Sequence, residues 1–155
     1  MKAILAARDL LGQLGNPKLP ICMEDVCHEL GIYLRFADLD SINGYFMFEY
    51  DTSLIVVNDS MSTVRQRFSV AHELGHLTMY HAPAGFVGGF LLQGQHEKWQ
   101  EVHANRFASE FLMPKMRLSK LNCELTPAII SQICQVSKEA ARIRLEQLGW
   151  TKKGA

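Results

Sequence analysis

Apolar residues fall at helical spacing over residues 3 to 14, where Ile4, Leu5, Leu10, Leu11 and Leu14 carry the pattern and Gly15-Asn16-Pro17 stops it. Residues 19 to 30 predict a second short helix, with Pro20 near its start and Gly31 just past its end. The period then changes. Ile32-Tyr33-Leu34-Arg35-Phe36 reads as a strand, and residues 38 to 43 as a polar connector. Gly44-Tyr45-Phe46-Met47-Phe48-Glu49-Tyr50 and Ser53-Leu54-Ile55-Val56-Val57-Asn58 predict two more strands, joined across a tight Asp51-Thr52 turn.

Asn58-Asp59-Ser60-Met61-Ser62 supplies N-cap chemistry for a helix running from about Ser62 to Tyr80 or His81. On it Arg65, Phe68, His72 and His76 fall on one side and Val70, Leu74 and Leu77 on the other, so one face should meet the core while the other opens to a cleft. Gly75 costs this helix about 1 kcal/mol relative to alanine, which a close neighbour at that point would explain. Residues 82 to 90 are glycine-rich, carry Phe86 and Phe90, and read equally as a flap or a plain connector. A third long helix follows from about His96 to Met113, with Trp99, Val102, Phe107, Phe111 and Leu112 as core candidates and Pro114 at its end. One stripe on it, Glu101, Ala104, Asn105 and Ala108, combines small residues with a carboxylate at one end. Thr126 and Pro127 start the first of two short tail helices, and Gly149 follows the second. The fold class is therefore α+β, with a small sheet of about three strands. Residues 1–120 read as one domain, and 121–155 as a two-helix C-terminal appendage packed on it.

Composition narrows this only by exclusion. The 155 residues are 48% hydrophobic and 21% charged, with a formal net charge of zero. No global field draws such a chain to nucleic acid or an anionic membrane. The N-terminus makes no convincing signal peptide, and no apolar run reaches spanning length. Cys22, Cys27, Cys123 and Cys134 match no zinc-knuckle or disulfide spacing and read as buried or idle thiols in a reducing cytoplasm.

The chemistry is concentrated in Phe68-Ser-Val-Ala-His72-Glu73-Leu74-Gly75-His76-Leu77. Histidines four apart on a helix aim two imidazoles at one point, the bite a zinc ion needs. Glu73 is placed to take a proton from a water activated at that metal. Catalytic zinc needs a third protein ligand. His81 lies about 180° round the helix from His72 and is rejected. Glu97, Glu101 and His103 remain. Packing the Ala104/Ala108 face on the metal helix would aim Glu101 at the ion, with Glu97 one turn earlier as second choice. Asn105 is a candidate to orient a ligand by hydrogen bonding. Tyr80, His81, His103 and nearby arginines are all candidates to stabilise an oxyanion.

Arg65-Gln66-Arg67-Phe68 through His76, followed by Glu101-Val-His-Ala104-Asn105-Arg106-Phe107-Ala108 and Leu112-Met113-Pro114, resembles the ImmA/IrrE family of metallopeptidases. The likeness continues in the segments upstream of the motif and in Val136-Ser137 to Gly149, so it covers most of the chain. The resemblance implies a zincin-like fold, with Zn2+ held by His72, His76 and Glu101 and with Glu73 as general base. It implies a cytoplasmic zinc endopeptidase acting on a protein, often a helix-turn-helix transcriptional repressor supplied in trans, in an anti-repressor role in phage or stress regulation. Two other readings compete. One is a non-catalytic, zinc-containing regulator that binds a repressor or antitoxin-like partner. The other is direct DNA binding through the tail helices, using Lys138, Arg142, Arg144, Lys152 and Lys153; it is the least expected, because Glu139 and Glu146 offset those charges.

Overall fold

The structure is a computed structural model that describes residues 1–49, 51–80, 89–92 and 96–150. Four strands make one sheet in the order β1-β3-β2-β4, with β1 at Ile32–Ala37, β2 at Gly44–Glu49, β3 at Thr52–Asn58 and β4 at Gly89–Leu92. The three expected strands are present, with β2 and β3 antiparallel and β1 parallel to β3. The short β4 pairs antiparallel with β2 and adds an edge that begins at the end of the stretch expected to be a loop. Residues 82–88 of that stretch, and His81, lie outside the described residues.

Side chains alternate across the sheet as a pleated backbone requires. Ile32 and Leu34 are half-buried while Tyr33 and Arg35 face out, and Phe46, Ile55 and Val57 are buried on the inner face. Against that face lies α3 (Thr63–Thr78), and α4 (Lys98–Leu112) packs on α3 from the other side. α1 (Lys2–Gln13) packs on α4, and α2 (Met23–Glu29) sits between β1 and α3. α2 is shorter than the sequence suggests, with Cys22 as its N-cap, so Leu19 and Pro20 precede the helix. The four-residue α5 (Lys115–Leu118) leads to α6 (Pro127–Cys134) and α7 (Lys138–Leu148).

The tail helices start as their sequence predicts. Thr126 Oγ1 accepts from the Ile129 N–H, and Ser137 Oγ accepts from the Ala140 N–H. Ile130, Cys134, Val136, Ala141 and Leu145 join the same buried cluster as Leu74 and Phe107. Two of the cations considered for DNA contact are otherwise engaged. Arg144 is buried and ion-paired with Glu110, while Arg142 is paired with both Glu139 and Glu146. Lys152 and Lys153 lie outside the described residues.

The α3 start differs in detail from its reading. Ser62 is the N-cap but makes no side-chain cap bond. Asn58 instead donates from Nδ2 to the Asp40 and Ile42 carbonyls and accepts from Ser60, which fastens the polar connector to the strand end. Two residues assigned to the core on α4, Trp99 and Val102, are 54% and 40% exposed. They sit in the first turns of α4, whereas the fully buried Phe107 and Phe111 lie deeper along it. Among the described residues no disulfide forms, and no helix is long and apolar enough to cross a membrane. Burial pushes the Cys134 and Cys27 thiols up to about 11 and about 12, where they are unreactive.

Candidate metal centre

Residues 70 to 76 of α3 are buried on every side, so the histidine face meets protein as well as cleft. The sheet covers one side and α4 the other. Gly75 makes the second contact possible: a Cβ there would lie 3.0 Å from Phe107 Cδ1 and 3.1 Å from its Cβ and Cγ. Ala104 and Ala108, both fully buried, keep the rest of that seam narrow. Gly44 does the same on the sheet side. A Cβ there would meet the Val56 carbonyl oxygen at 3.0 Å and Glu73 Cγ at 3.6 Å.

The narrow α3–α4 seam brings Glu101 to the two histidines. His72 Nε2 lies 3.1 Å from His76 Nε2 and 3.2 Å from Glu101 Oε2, and His76 Nε2 lies 3.5 Å from Glu101 Oε1. Ligands held tetrahedrally at about 2.0–2.1 Å from zinc stand about 3.3 Å apart, so the three spacings fit one zinc ion. Among the described residues this is the group whose donor atoms converge in that way. Asn105 Oδ1 lies 3.0 Å from His72 Nδ1 and accepts its N–H, which leaves the Nε2 lone pair facing Glu101 and His76. Burial alone would lower the His72 pKa, but the hydrogen bond its protonated ring donates to Glu101 and the charges of Glu73 and Glu101 raise it.

Glu73 is 2% exposed, and its Oε2 is buried without a hydrogen-bond partner among the described residues. Burial pushes its carboxyl up to about 7, with the Glu101 charge adding and His72 opposing. A carboxyl poised there can exchange a proton near neutral pH.

The other sequence candidates are elsewhere. Glu97 is the N-cap of α4, where its side chain accepts from the helix's own N3 backbone and Gln100 returns a 2.8 Å bond to the Glu97 N–H. His103 sits edge-on to Trp99, with ring centroids 5.3 Å apart. Tyr80 is 89% exposed. Arg65 lines the cleft that reaches His72 and Glu73.

His96 was not anticipated. Its ring stacks on His76 with centroids 3.8 Å apart and also stacks on Phe46 at 5.7 Å. It precedes α4 and has no periodic pattern around it, so nothing in the sequence signals its position. The buried ion pair of Arg144 and Glu110 was likewise unanticipated. Glu110 also accepts from Arg8 Nε at 2.9 Å and the Lys115 N–H at 3.3 Å, while Arg144 Nε donates to the Met113 carbonyl at 3.1 Å.

Comparison with known proteins adds a family and a fold. A family model described as the IrrE N-terminal-like domain, a peptidase family, matches residues 27–146. Among solved structures, a Mycobacterium tuberculosis transcriptional regulator superposes with a TM-score of 0.62 at 16% identity, over 94% of this chain and 46% of that one. The chain thus spans less than half the length of that protein, and the likeness is one of fold. No curated protein matches the chain.

Proposed function

The chain belongs to the ImmA/IrrE metallopeptidase family, that of the IrrE N-terminal-like domain, and from that premise we propose that it is a zinc-dependent endopeptidase with a zincin-like active site. The observation that carries the proposal is the convergence of His72, His76 and Glu101 beside the buried carboxyl of Glu73. In this reading His72, His76 and Glu101 hold the ion, and Glu73 is the general base. Zinc held there supplies a Lewis acid that activates water and polarises the scissile carbonyl. Glu73 takes the proton from the attacking water and delivers it to the leaving amine. Asn105 keeps the His72 ring turned so that its free lone pair faces inward, and Arg65 stands at the cleft for the developing oxyanion. An extended peptide docks along an exposed edge of the sheet, of which β1 and β4 are the two edges.

The substrate in this proposal is a helix-turn-helix repressor, cut in trans in the cytoplasm, with residues 1–120 as the peptidase unit and 121–155 as its appendage. Free cysteines are in keeping with a reducing compartment. A second reading is a non-catalytic zinc-containing regulator of a repressor or antitoxin-like partner. The neighbour's name, transcriptional regulator, suits both. The buried Glu73, whose Oε2 has no hydrogen-bond partner among the described residues, favours catalysis, because a purely structural site has no use for a base and bears the cost of burying it. Direct DNA binding is disfavoured by the engagement of Arg142 and Arg144.

The test is incubation of the zinc-loaded protein with helix-turn-helix repressors from the same genome, followed by mass spectrometry of fragments. A single cut by wild type and none by Glu73→Gln is expected. A complex that forms without any cut would favour the regulator instead.

A further inference from the structure

The cleft beside the metal centre has a wall that the sequence did not assign to any site. It holds about 350 Å³ and runs from His72, Glu73 and Asn105 to Ser137, the N-cap of α7, and to Ala140 and Ile143 on that helix. That volume is at the low end of the roughly 300–1,000 Å³ of small-molecule sites, room for a side chain or two and not for a folded element. Its α3 side is apolar, formed by Met61, Val64 and Phe68. Its α7 side presents Ala140 and Ile143, three apart on one helical face, beside Glu139. Ile143 is 40% exposed on a helix whose other outward positions include Lys138, Glu139, Arg142 and Glu146. A lone exposed isoleucine is ordinary. This one shares with Phe68, Met61 and Val64 the lining of the cleft that reaches Glu73, and chance exposure does not account for that.

The width of the cleft is held from both sides. Arg67 of α3 donates to the Gln135 and Cys134 carbonyls at 3.1 and 3.3 Å, which ties α3 to the turn before α7. Arg144 of α7 is buried against Glu110 and the Met113 carbonyl at the end of α4. α7 is therefore fixed relative to both helices that carry the converging donors.

We infer that α7 is a specificity element of the peptidase site: the α3–α7 cleft receives one apolar side chain of an extended peptide, adjacent to the bond that is cut, with Ile143 and Phe68 gripping it. The inference rests on the peptidase reading above. Arg65 and Glu139 also line the cleft, and Glu139 is already paired with Arg142, so a lysine entering between Phe68 and Ile143 would lose its hydration without a free acidic partner on α7. Leucine, methionine or phenylalanine at that subsite is therefore favoured over lysine by about 10- to 100-fold in kcat/KM, the scale of an apolar pocket's discrimination.

The experiment exposes zinc-loaded protein to a randomised library of blocked octapeptides and maps cleavage by mass spectrometry, for wild type, Ile143→Glu and Ala140→Phe. Zinc content and urea midpoint are measured on each variant. In parallel, fluorescein-labelled octapeptides bearing leucine or lysine at one position are titrated against zinc-loaded Glu73→Gln, with and without Ile143→Glu, by anisotropy. The expected result is an apolar preference at one subsite. Ile143→Glu shifts it towards lysine and arginine by tenfold or more and Ala140→Phe shifts it towards small residues, both with zinc retained. Cleavage whose profile is the same in the variants overturns the inference and leaves the peptidase reading intact. No cleavage, with an apolar binding preference that Ile143→Glu removes, rejects the peptidase reading and keeps the cleft as the side-chain site. No cleavage and no difference in binding overturns both.

Discussion

Gly75→Ala probes the contact on which the ligand geometry depends. The added methyl would sit 3.0–3.1 Å from three carbons of Phe107, whereas carbon atoms rest at about 3.5–4.0 Å. Relief requires a retreat of about half an ångström. Phe107 is fully buried and stacked on Phe111 with centroids 5.6 Å apart, so its ring cannot swing aside and α4 must move with it. Overpacking of this kind costs about 1–3 kcal/mol, offset by about 1 kcal/mol of helix propensity regained when glycine becomes alanine. The net loss of stability is therefore about 0–2 kcal/mol. The larger effect is at the metal. Glu101 rides on the same helix at 3.2 Å from His72 and 3.5 Å from His76, and zinc ligands tolerate only about ±0.2 Å. Zinc affinity should fall by about 10- to 100-fold, the scale seen when support around ligands is disturbed. Competition against a fluorescent chelator measures the affinity, and urea unfolding of the metal-free protein measures the stability. A Gly75→Ala protein that is about 1 kcal/mol more stable and binds zinc as tightly as wild type would show that the α3–α4 seam is slack, and would refute the reasoning.

Three further outcomes follow from the same geometry. Asn105→Ala removes the acceptor that fixes the His72 ring and should weaken zinc binding by about 10- to 100-fold, with little change in the urea midpoint of the metal-free protein; an unchanged zinc affinity would show that the ring needs no such support. Arg144→Met leaves the buried Glu110 carboxylate with Arg8, at 2.9 Å, as its remaining charged partner and should cost about 3 kcal/mol, the low end for breaking a buried pair, read by urea unfolding; a loss below about 1 kcal/mol, the range of exposed pairs, would mean that the pair is effectively solvated. In the metal-free protein Glu73 titrates at about 7 in the folded state against 4.5 for its ordinary value, so the fold holds a proton that the unfolded chain releases. Stability therefore falls as pH rises from 4.5 to about 7 and levels off above it, by about 3 kcal/mol in all. Glu73→Gln lacks this loss, and its advantage over wild type should grow between pH 5 and pH 8; an advantage that stays constant would refute the burial argument.

The part of the site that lies on regular helix was legible in the sequence. The spacing of His72 and His76, the small residues Ala104 and Ala108 and the position of Asn105 all express one geometry, two helices meeting closely at a metal-sized gap. Gly75 reported the closeness of that meeting from the other side. The face of α3 was read less well, because the histidines count as polar in a periodic pattern although α4 buries them. Trp99 and Val102 look like core on a helical wheel, yet they sit in the first turns of α4 and stay exposed. The Arg144–Glu110 pair joins positions far apart in the chain, each of which reads locally as solvated surface. His96 and β4 fall in or beside the glycine-rich stretch, where no periodicity marks a partner. Residues that act through one helix are visible in sequence, and residues that meet only through the tertiary fold are not.

The central claim is a three-ligand zinc site with a separate base, and zinc stoichiometry tests it most directly. Wild type, His72→Ala, Glu101→Ala and Glu73→Gln are stripped with chelator, reloaded and measured for bound zinc, with a folding check on each. The account predicts one zinc per chain in wild type and Glu73→Gln, and near-complete loss in the two ligand variants while they remain folded. A folded Glu101→Ala that binds zinc as tightly as wild type, or a wild type that takes up none, would contradict it.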